Sequence, residues 1–345
     1  MICTVSTIKD SVANVTRFVE GNLAAGADHL FVFAEGGDRD VLTRLEEHPH
    51  VTVVDADAMS RRVAQPDNLN TRQTINANRI NWLLADLDSA EWLFHLDGDE
   101  ILDIDKGRLL ALGPDVETVR LLPKESVSSS EPGYGGYFKR LLSNEELALL
   151  TLFGVIDEAF NSVYFHGHVS GKVGLRPSRR HGVHIHDVSL IGQEGSTEDF
   201  RADWLHLLHY DSVSPEEYLR KWTVNSAGTP HNFRGRRKLI HAAMSGLVKN
   251  EQIDEAEKRD YMLEIYRREI EDDAPSLQKF GLLETVEPRH HSPGSFTRQE
   301  SDAITAVLPR LLEAEPRYFQ PRRTEYDPAE LMTTIHAGAS SRHPR

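Results

Sequence analysis

Two rhythms of apolar and polar positions alternate along the first hundred residues. Residues 2–8 (Ile-Cys-Thr-Val-Ser-Thr-Ile), His29–Ala34 and Val51–Val54 are short apolar runs rich in β-branched and aromatic side chains, the signature of buried strands. Between them, residues 11–26 place Val12, Val15, Phe18, Val19 and Leu23 at helical spacing with Gly26 as a C-cap, and Val41–Glu47 forms a shorter helix. Strand, helix, strand, helix, strand with short connections predicts a parallel sheet wound with helices. Residues 60–88 begin as a polar loop and become a helix carrying Ile75, Ile80, Trp82, Leu83, Leu84 and Leu87. A fourth predicted strand, Glu91-Trp92-Leu93-Phe94-His95-Leu96, then stops abruptly at Asp97-Gly98-Asp99-Glu100.

Farther on, Val119–Leu122 reads as a strand and Asn144–Leu152 as a helix, around a glycine-rich loop with Tyr134 and Tyr137 that suits either a sugar-stacking surface or a plain connection. Beyond residue 211 the pattern turns helical. Ser214-Pro215-Glu216-Glu217 is a helix start, with a serine cap, proline in the first turn and glutamate at the capping-box position. Arg234–Val248, Asp254–Ile270 and Arg298–Glu313 are further predicted helices, and residues 321–345, rich in Arg, Ser, Thr and Pro, read as a loosely ordered tail. The expected division is an α/β domain over 1–210, a helical extension over 211–320 and a tail over 321–345.

Composition narrows the classes. The chain has 345 residues, 39% hydrophobic, enough for a real core, and a net charge of −15 that argues against a general nucleic-acid binder. Cys3 is the single cysteine, so neither an intramolecular disulfide nor a cysteine metal cluster is expected, which fits a reducing cytoplasm. No apolar run approaches the roughly 20 residues of a transmembrane helix, and the first six residues do not read as a signal peptide.

An acidic chain that binds an anion needs a metal or a local basic patch. Asp-x-Asp occurs five times, and only Asp97/Asp99 directly follows a strand-like run; the other four read as solvated turns. In open α/β sheets ligands sit beyond the carboxyl ends of the strands, where Asp97 and Asp99 would emerge. Two carboxylates around a flexible glycine suit Mg²⁺ or Mn²⁺, which keep open positions for phosphate oxygens. Arg72, near a helix N-terminus, either meets a phosphate or is a solvated arginine. Lys172, Arg176, Arg179 and Arg180 form the most basic segment of the first two-thirds, facing an anion or simply solvated. Arg234, Arg236, Arg237 and Lys238 form another basic cluster, at a helix end. Seven of the 17 histidines fall in residues 166–209. If they lie in strands, His166/His168 and His184/His186 would each share a face and could hold zinc, which makes a histidine-based metal-dependent hydrolase the rival reading. No His-Glu-x-x-His motif accompanies them.

Arg72-Gln73 with Asn76 and Asn78, followed by Asp86 to Glu100 and its Asp-x-Asp-Glu end, resembles the family 2-like glycosyltransferases, in particular a bacterial branch with an Arg-Gln…Asn helix before the acidic strand end. His166–Pro177, Leu208-His209-Tyr210, Ser214–Tyr218 and Lys221-Trp222 are similar to that branch as well, so the likeness spans residues 2–222. It implies a GT-A-like nucleotide-diphospho-sugar transferase sandwich with a mostly parallel central sheet. The implied activity is metal-dependent, inverting hexosyl transfer from a nucleotide-diphosphate sugar to a glycan or other hydroxyl acceptor. By that resemblance Asp97 and Asp99 hold Mn²⁺ or Mg²⁺ with His209 as a third ligand. Thr4, Ser6 and Asp38 face the nucleoside, Arg72 lies near the phosphates, and Asn76 and Lys172 join the donor-binding set. The family's usual catalytic base has no unambiguous counterpart; Glu100, Asp157 and Glu158 are the candidates. A sugar-nucleotide binder that lacks a base is the third reading.

Overall fold

The computed structural model describes the chain apart from residues 192–194, 196, 228–234, 288, 322–327 and 341–345. Arg234 lies outside these described residues, as do the side chains of Arg236 and Arg237. The chain forms two compact units of interleaved segments: unit 1 is Met1–Leu122, Ser170–Leu207 and Pro288–Arg345, and unit 2 is Pro123–Val169 and Leu208–Glu287.

In chain order the elements are β1 (Ile2–Ile8), α1 (Val12–Ala25), β2 (His29–Ala34), α2 (Arg39–Glu46), β3 (Val51–Asp55), α3 (Ala56–Ser60), α4 (Leu69–Leu84), β4 (Trp92–His95), β5 (Glu100–Ile104) and α5 (Lys106–Leu110). There follow β6 (Thr118–Ser126), β7 (Tyr137–Lys139), α6 (Asn144–Leu152), α7 (Asn161–Tyr164), β8 (Lys172–Leu175), β9 (His181–Val183), β10 (Val188–Leu190) and β11 (Leu205–His209). The remainder is α8 (Pro215–Ala227), α9 (Gly235–Lys249), α10 (Glu255–Glu269), α11 (Ala274–Lys279), β12 (Leu283–Thr285), α12 (Arg298–Glu313), a 3₁₀ turn (Pro316–Phe319) and α13 (Pro328–Ser340).

Unit 1 is mixed α/β. Strands β3, β2, β1 and β4 lie side by side and parallel, β8 adds antiparallel to β4, and the first half of β6 adds antiparallel to β8. On one face Cys3 and Val5 of β1, Phe31 and Phe33 of β2 and Leu93 of β4 pack against Ile75, Ile80 and Leu83 of α4 and Ile304, Leu308 and Leu311 of α12. Met332 and Ile335 of α13 join the same core, so residues 328–340 form a packed helix where composition alone suggested a loose tail. Three glycines near the site are set by close approach. A Cβ on Gly174 would collide with the Phe94 ring, and one on Gly171, at φ +69°, with the Leu121 carbonyl. A Cβ on Gly98 would come within 3.0 Å of Ile8.

The buried asparagines in the second half of α4, unusual for a helix leading into a central strand, have a physical reason. Asn78 exchanges two hydrogen bonds with the Val183 backbone, and Asn81 donates to the Ser178 and His181 carbonyls, so buried amides satisfy the β9 segment.

Unit 2 holds the short sheet β12–β7–second half of β6, all antiparallel, and two cores. One joins α8, α9 and α10 through Tyr218, Trp222, Met244 and Tyr266; the other joins α6, α7 and α11 through Leu147, Leu150, Tyr164 and Leu277. The predicted helix starts hold here: Ser214 Oγ accepts from the Glu217 amide, and Asp254 caps α10. Among the described residues no helix is long and apolar enough to cross a membrane.

Candidate functional site

β4 delivers the acidic turn to the carboxyl end of the parallel strands of unit 1. The apolar run Trp92–Leu96 is fully buried, while Asp97, Gly98 and Asp99 are half-buried. The turn closes on itself, because Glu100 Oε2 accepts the Asp97 amide at 2.7 Å and the Glu100 amide donates back to the Asp97 carbonyl at 3.1 Å. β5 then leaves the turn along α1, anchored by buried Asn22, whose amide donates to the Glu100 carbonyl (3.0 Å) and whose oxygen accepts from the Leu102 amide (3.0 Å). The pattern of apolar runs passed over both β5 and Asn22. The sequence signal for them was an asparagine on the apolar face of a helix, one turn before its C-cap.

Both oxygens of Asp97 are engaged. Gln73 of α4 donates to Oδ1 at 2.8 Å, and the Lys172 ammonium reaches Oδ2 at 2.6 Å and lies 3.4 Å from Glu100 Oε2. Lys172 and Glu100 are wholly buried, whereas the Asp97 side chain keeps 29% of its surface. Burial alone would pull the Lys172 pKa down, but the charges of Asp97, Glu100 and Asp99 and the hydrogen bond to Asp97 outweigh it and hold the ammonium above the ordinary lysine range.

The other expected residues fall as follows. Asn76 is buried and donates to Thr7 Oγ1 (3.1 Å), while its own oxygen accepts from Arg79 (3.2 Å). Thr4 and Ser6 are enclosed in β1 at 0% and 1% exposure, with hydroxyls that make no hydrogen bond among the described residues, so they do not open to a ligand as placed. Asp38 is exposed and caps α2, accepting the Asp40 and Val41 amides. Arg72 is held by both oxygens of Glu35 (2.7 and 2.8 Å) and by the Pro66 and Asp67 carbonyls, so its charge is already matched. The basic segment is neutralised locally as well: Arg179 pairs with Asp86, Arg180 with Glu117, and Arg176 lies over the Trp92 ring at 4.6 Å. Glu100 is enclosed and accepts the turn's own Asp97 amide.

His209 belongs to unit 2, where a buried polar cluster surrounds it. Its Nδ1 lies 3.8 Å from Glu125 Oε2, and its ring sits 5.1 Å from that of His168. Glu125 also accepts the His166 and Gly167 amides (2.8 and 2.5 Å) and pairs with Lys139 (2.9 Å). Asp272 takes the other side, 2.8 Å from Lys139 and 3.1 Å from His166 Nε2. Burial alone would raise the Asp272 pKa; Lys139 and His166 bring it down to about 2. Neither His166/His168 nor His184/His186 lies in a strand, so the shared strand face on which the zinc reading depended is not formed. His184 and His186 stand in the turn between β9 and β10, where His186 Nδ1 is 2.9 Å from the Gly171 carbonyl oxygen and His184 Nε2 is 3.0 Å from Ser189 Oγ. Asp157 and Glu158 are exposed in unit 2. Cys3 is buried, which pushes its thiol up to about 12 and leaves it inert.

No family model and no curated protein matches the chain. Among solved structures it is similar to mannose-1-phosphate geranyltransferase from Thermus thermophilus, with a TM-score of 0.27 and 11% identity over 51% of this chain and 57% of that one. It is also similar to HddC from Yersinia pseudotuberculosis, with a TM-score of 0.26 and 9% identity over 64% of this chain and 97% of that one. The chain thus spans little more than half the length of the geranyltransferase.

Proposed function

We propose that the protein is a metal-dependent glycosyltransferase, inverting in outcome, that moves a sugar from a nucleoside-diphosphate donor to a hydroxyl of a glycan or similar acceptor. The observation that carries this reading is the acidic turn at the carboxyl end of β4, inside a run of four parallel strands, where open α/β sheets bind their ligands.

The residues present suit a hard divalent cation. Three carboxylates (Asp97, Asp99, Glu100) against one ammonium (Lys172) leave two net negative charges at the turn. The two half-buried aspartates offer oxygen donors of the kind Mg²⁺ and Mn²⁺ prefer. When bound there, the cation would neutralise the charge that builds on the departing nucleoside diphosphate. The chain's own contribution is preorganisation. Gln73 and Lys172 hold the Asp97 carboxylate by both oxygens, Glu100 holds its amide, and Asn22 fixes the strand that follows, so the turn needs little rearrangement on loading. The acceptor hydroxyl requires a base, for which Glu100, Asp157 and Glu158 are the candidates.

A screen of sugar nucleotides with Mn²⁺, read as a shift in melting temperature, should single out one nucleoside diphosphate, and the shift should vanish with chelator. Asp99→Ala should abolish donor turnover while leaving the circular dichroism spectrum unchanged; undiminished turnover in that variant ends the reading. A sugar-nucleotide binder without catalysis would show the same thermal shift and no donor hydrolysis over long incubation.

A further inference from the structure

We propose that unit 1 carries a second ligand site, an apolar pocket beside β3 that takes a monocarboxylate with a hydrocarbon body, its carboxylate meeting the buried guanidinium of Arg79. The pocket encloses about 320 Å³, within the range of small-molecule sites, whereas well-packed interiors leave few voids larger than a water. Its walls are Val53 and Val54 of β3, Val63 beyond α3, and Leu308, Pro309 and Leu312 of α12; Met59 of α3 closes the inner side. None of these residues belongs to the acidic turn, so the site stands or falls independently of sugar transfer.

Behind Met59 lies the second observation. Arg79 of α4 is 0% exposed, and no carboxylate pairs with it among the described residues. Its Nη1 touches Met59 Sδ (3.8 Å) and donates to Asn76 Oδ1 (3.2 Å); its Nη2 donates to the Ala314 carbonyl (3.2 Å); its Nε, buried, has no hydrogen-bond partner. The Phe319 ring at 5.1 Å offsets part of the charge. Burial alone brings this guanidinium down to about 10. A buried cation without a counter-ion is costly, and the cost falls once an anion arrives.

Met59 lines the pocket, and Ala314 directly follows its rim residue Glu313, so the cation sits one side chain from open space. Methionine, unbranched and soft, is the side chain best able to swing aside. Arg62, also at the lining, makes no ion pair among the described residues and adds positive charge at the mouth. The lining's two carboxylates, Asp55 (which caps α3 through the Ala58 amide at 2.8 Å) and Glu313, offset that charge, so selection of an anionic head rests on Arg79. The unmet hydrogen-bonding capacity is a donor's, and that selects an anionic head over a cationic one.

The test is calorimetric titration of the full-length protein with decanoate, below its micellar range, beside decanol and decylamine. Decanoate should bind saturably and at least tenfold more tightly than either. Leu312→Trp, which fills the pocket, should lose decanoate binding while keeping the wild-type circular dichroism spectrum and melting temperature. Arg79→Met should bind decanoate and decanol alike. Absence of saturable decanoate binding, equal affinity for decanol in the wild type, or unchanged decanoate affinity in Leu312→Trp would each overturn the proposal. If Arg79→Met does not fold, the alcohol comparison and Leu312→Trp decide it.

Discussion

Lys172 shows how far one residue's role can be from its sequence appearance. In the chain it heads a basic stretch that suits an external anion, yet its ammonium is consumed by Asp97 and Glu100, 75 and 72 positions away in the sequence. Removing a partner from a buried ion pair typically costs 3–5 kcal/mol, because the remaining charges stay desolvated. Lys172→Met should therefore lower unfolding free energy by about 3 kcal/mol, read as a reduced urea midpoint at unchanged slope. A midpoint within error of wild type would show that the three carboxylates do not need it. The aspartates themselves were legible because a strand-like run ends on them. The commitments of Arg72 to Glu35 and of Asp38 to its helix cap were not, since a guanidinium's partner and a carboxylate's hydrogen bonds depend on which loops the fold brings together.

At the scale of elements, the strands and helices with strong periodicity fell where their patterns placed them: β1 and β2 match residue for residue, as do α6 and α12. β5 was missed because Glu100-Ile101-Leu102-Asp103-Ile104 lacks alternation, and α13 because its core contacts, Met332 and Ile335, are sparse within a polar composition. The elements of unit 2 are tied by charge as well as by packing. Asp272 at the α10–α11 junction accepts from the Ser128 amide (2.8 Å) and pairs with Lys139 of β7, which also donates to the Tyr164 carbonyl (3.0 Å). Its carboxyl titrates at about 2 in the folded state against an ordinary 3.8. A depressed folded pKa contributes stability that is complete above the ordinary value and lost as pH falls towards 2. Stability measured from pH 5 to 2 should fall more steeply in the wild type than in Asp272→Asn, which lacks that titration; parallel curves would remove Asp272 from the acid response. On the sheet of unit 1, Gly171→Ala would force a side chain into the Leu121 carbonyl at a positive φ, so β6–β8 pairing should weaken, with faster amide exchange at Leu121 and Lys172 than in wild type. Unchanged exchange there would show that the strand pair tolerates the methyl group.

For the molecule as a whole, the alternation of strand and helix announced a parallel α/β unit, and the sheet β3–β2–β1–β4 is that unit. The interleaving of the two compact units was not readable, because segments such as Ser170–Leu207 join unit 1 through pairing with residues more than fifty positions earlier, and nothing in local periodicity records such returns. With a net charge of −15, the protein needs a metal ion or a local basic patch to hold a diphosphate, and Arg72, Lys172, Arg179 and Arg180 are already paired with carboxylates. The account therefore rests on the acidic turn after β4 as the place where that cation is gathered. The most direct measurement is calorimetric titration of Mn²⁺ into the full-length protein, with and without saturating nucleoside diphosphate, compared with Asp97→Asn/Asp99→Asn. The account predicts one Mn²⁺ per chain in the wild type, tightened by the nucleotide, and at least a hundredfold weaker binding in the double variant with its fold intact. Equal Mn²⁺ affinity in the two proteins would contradict it.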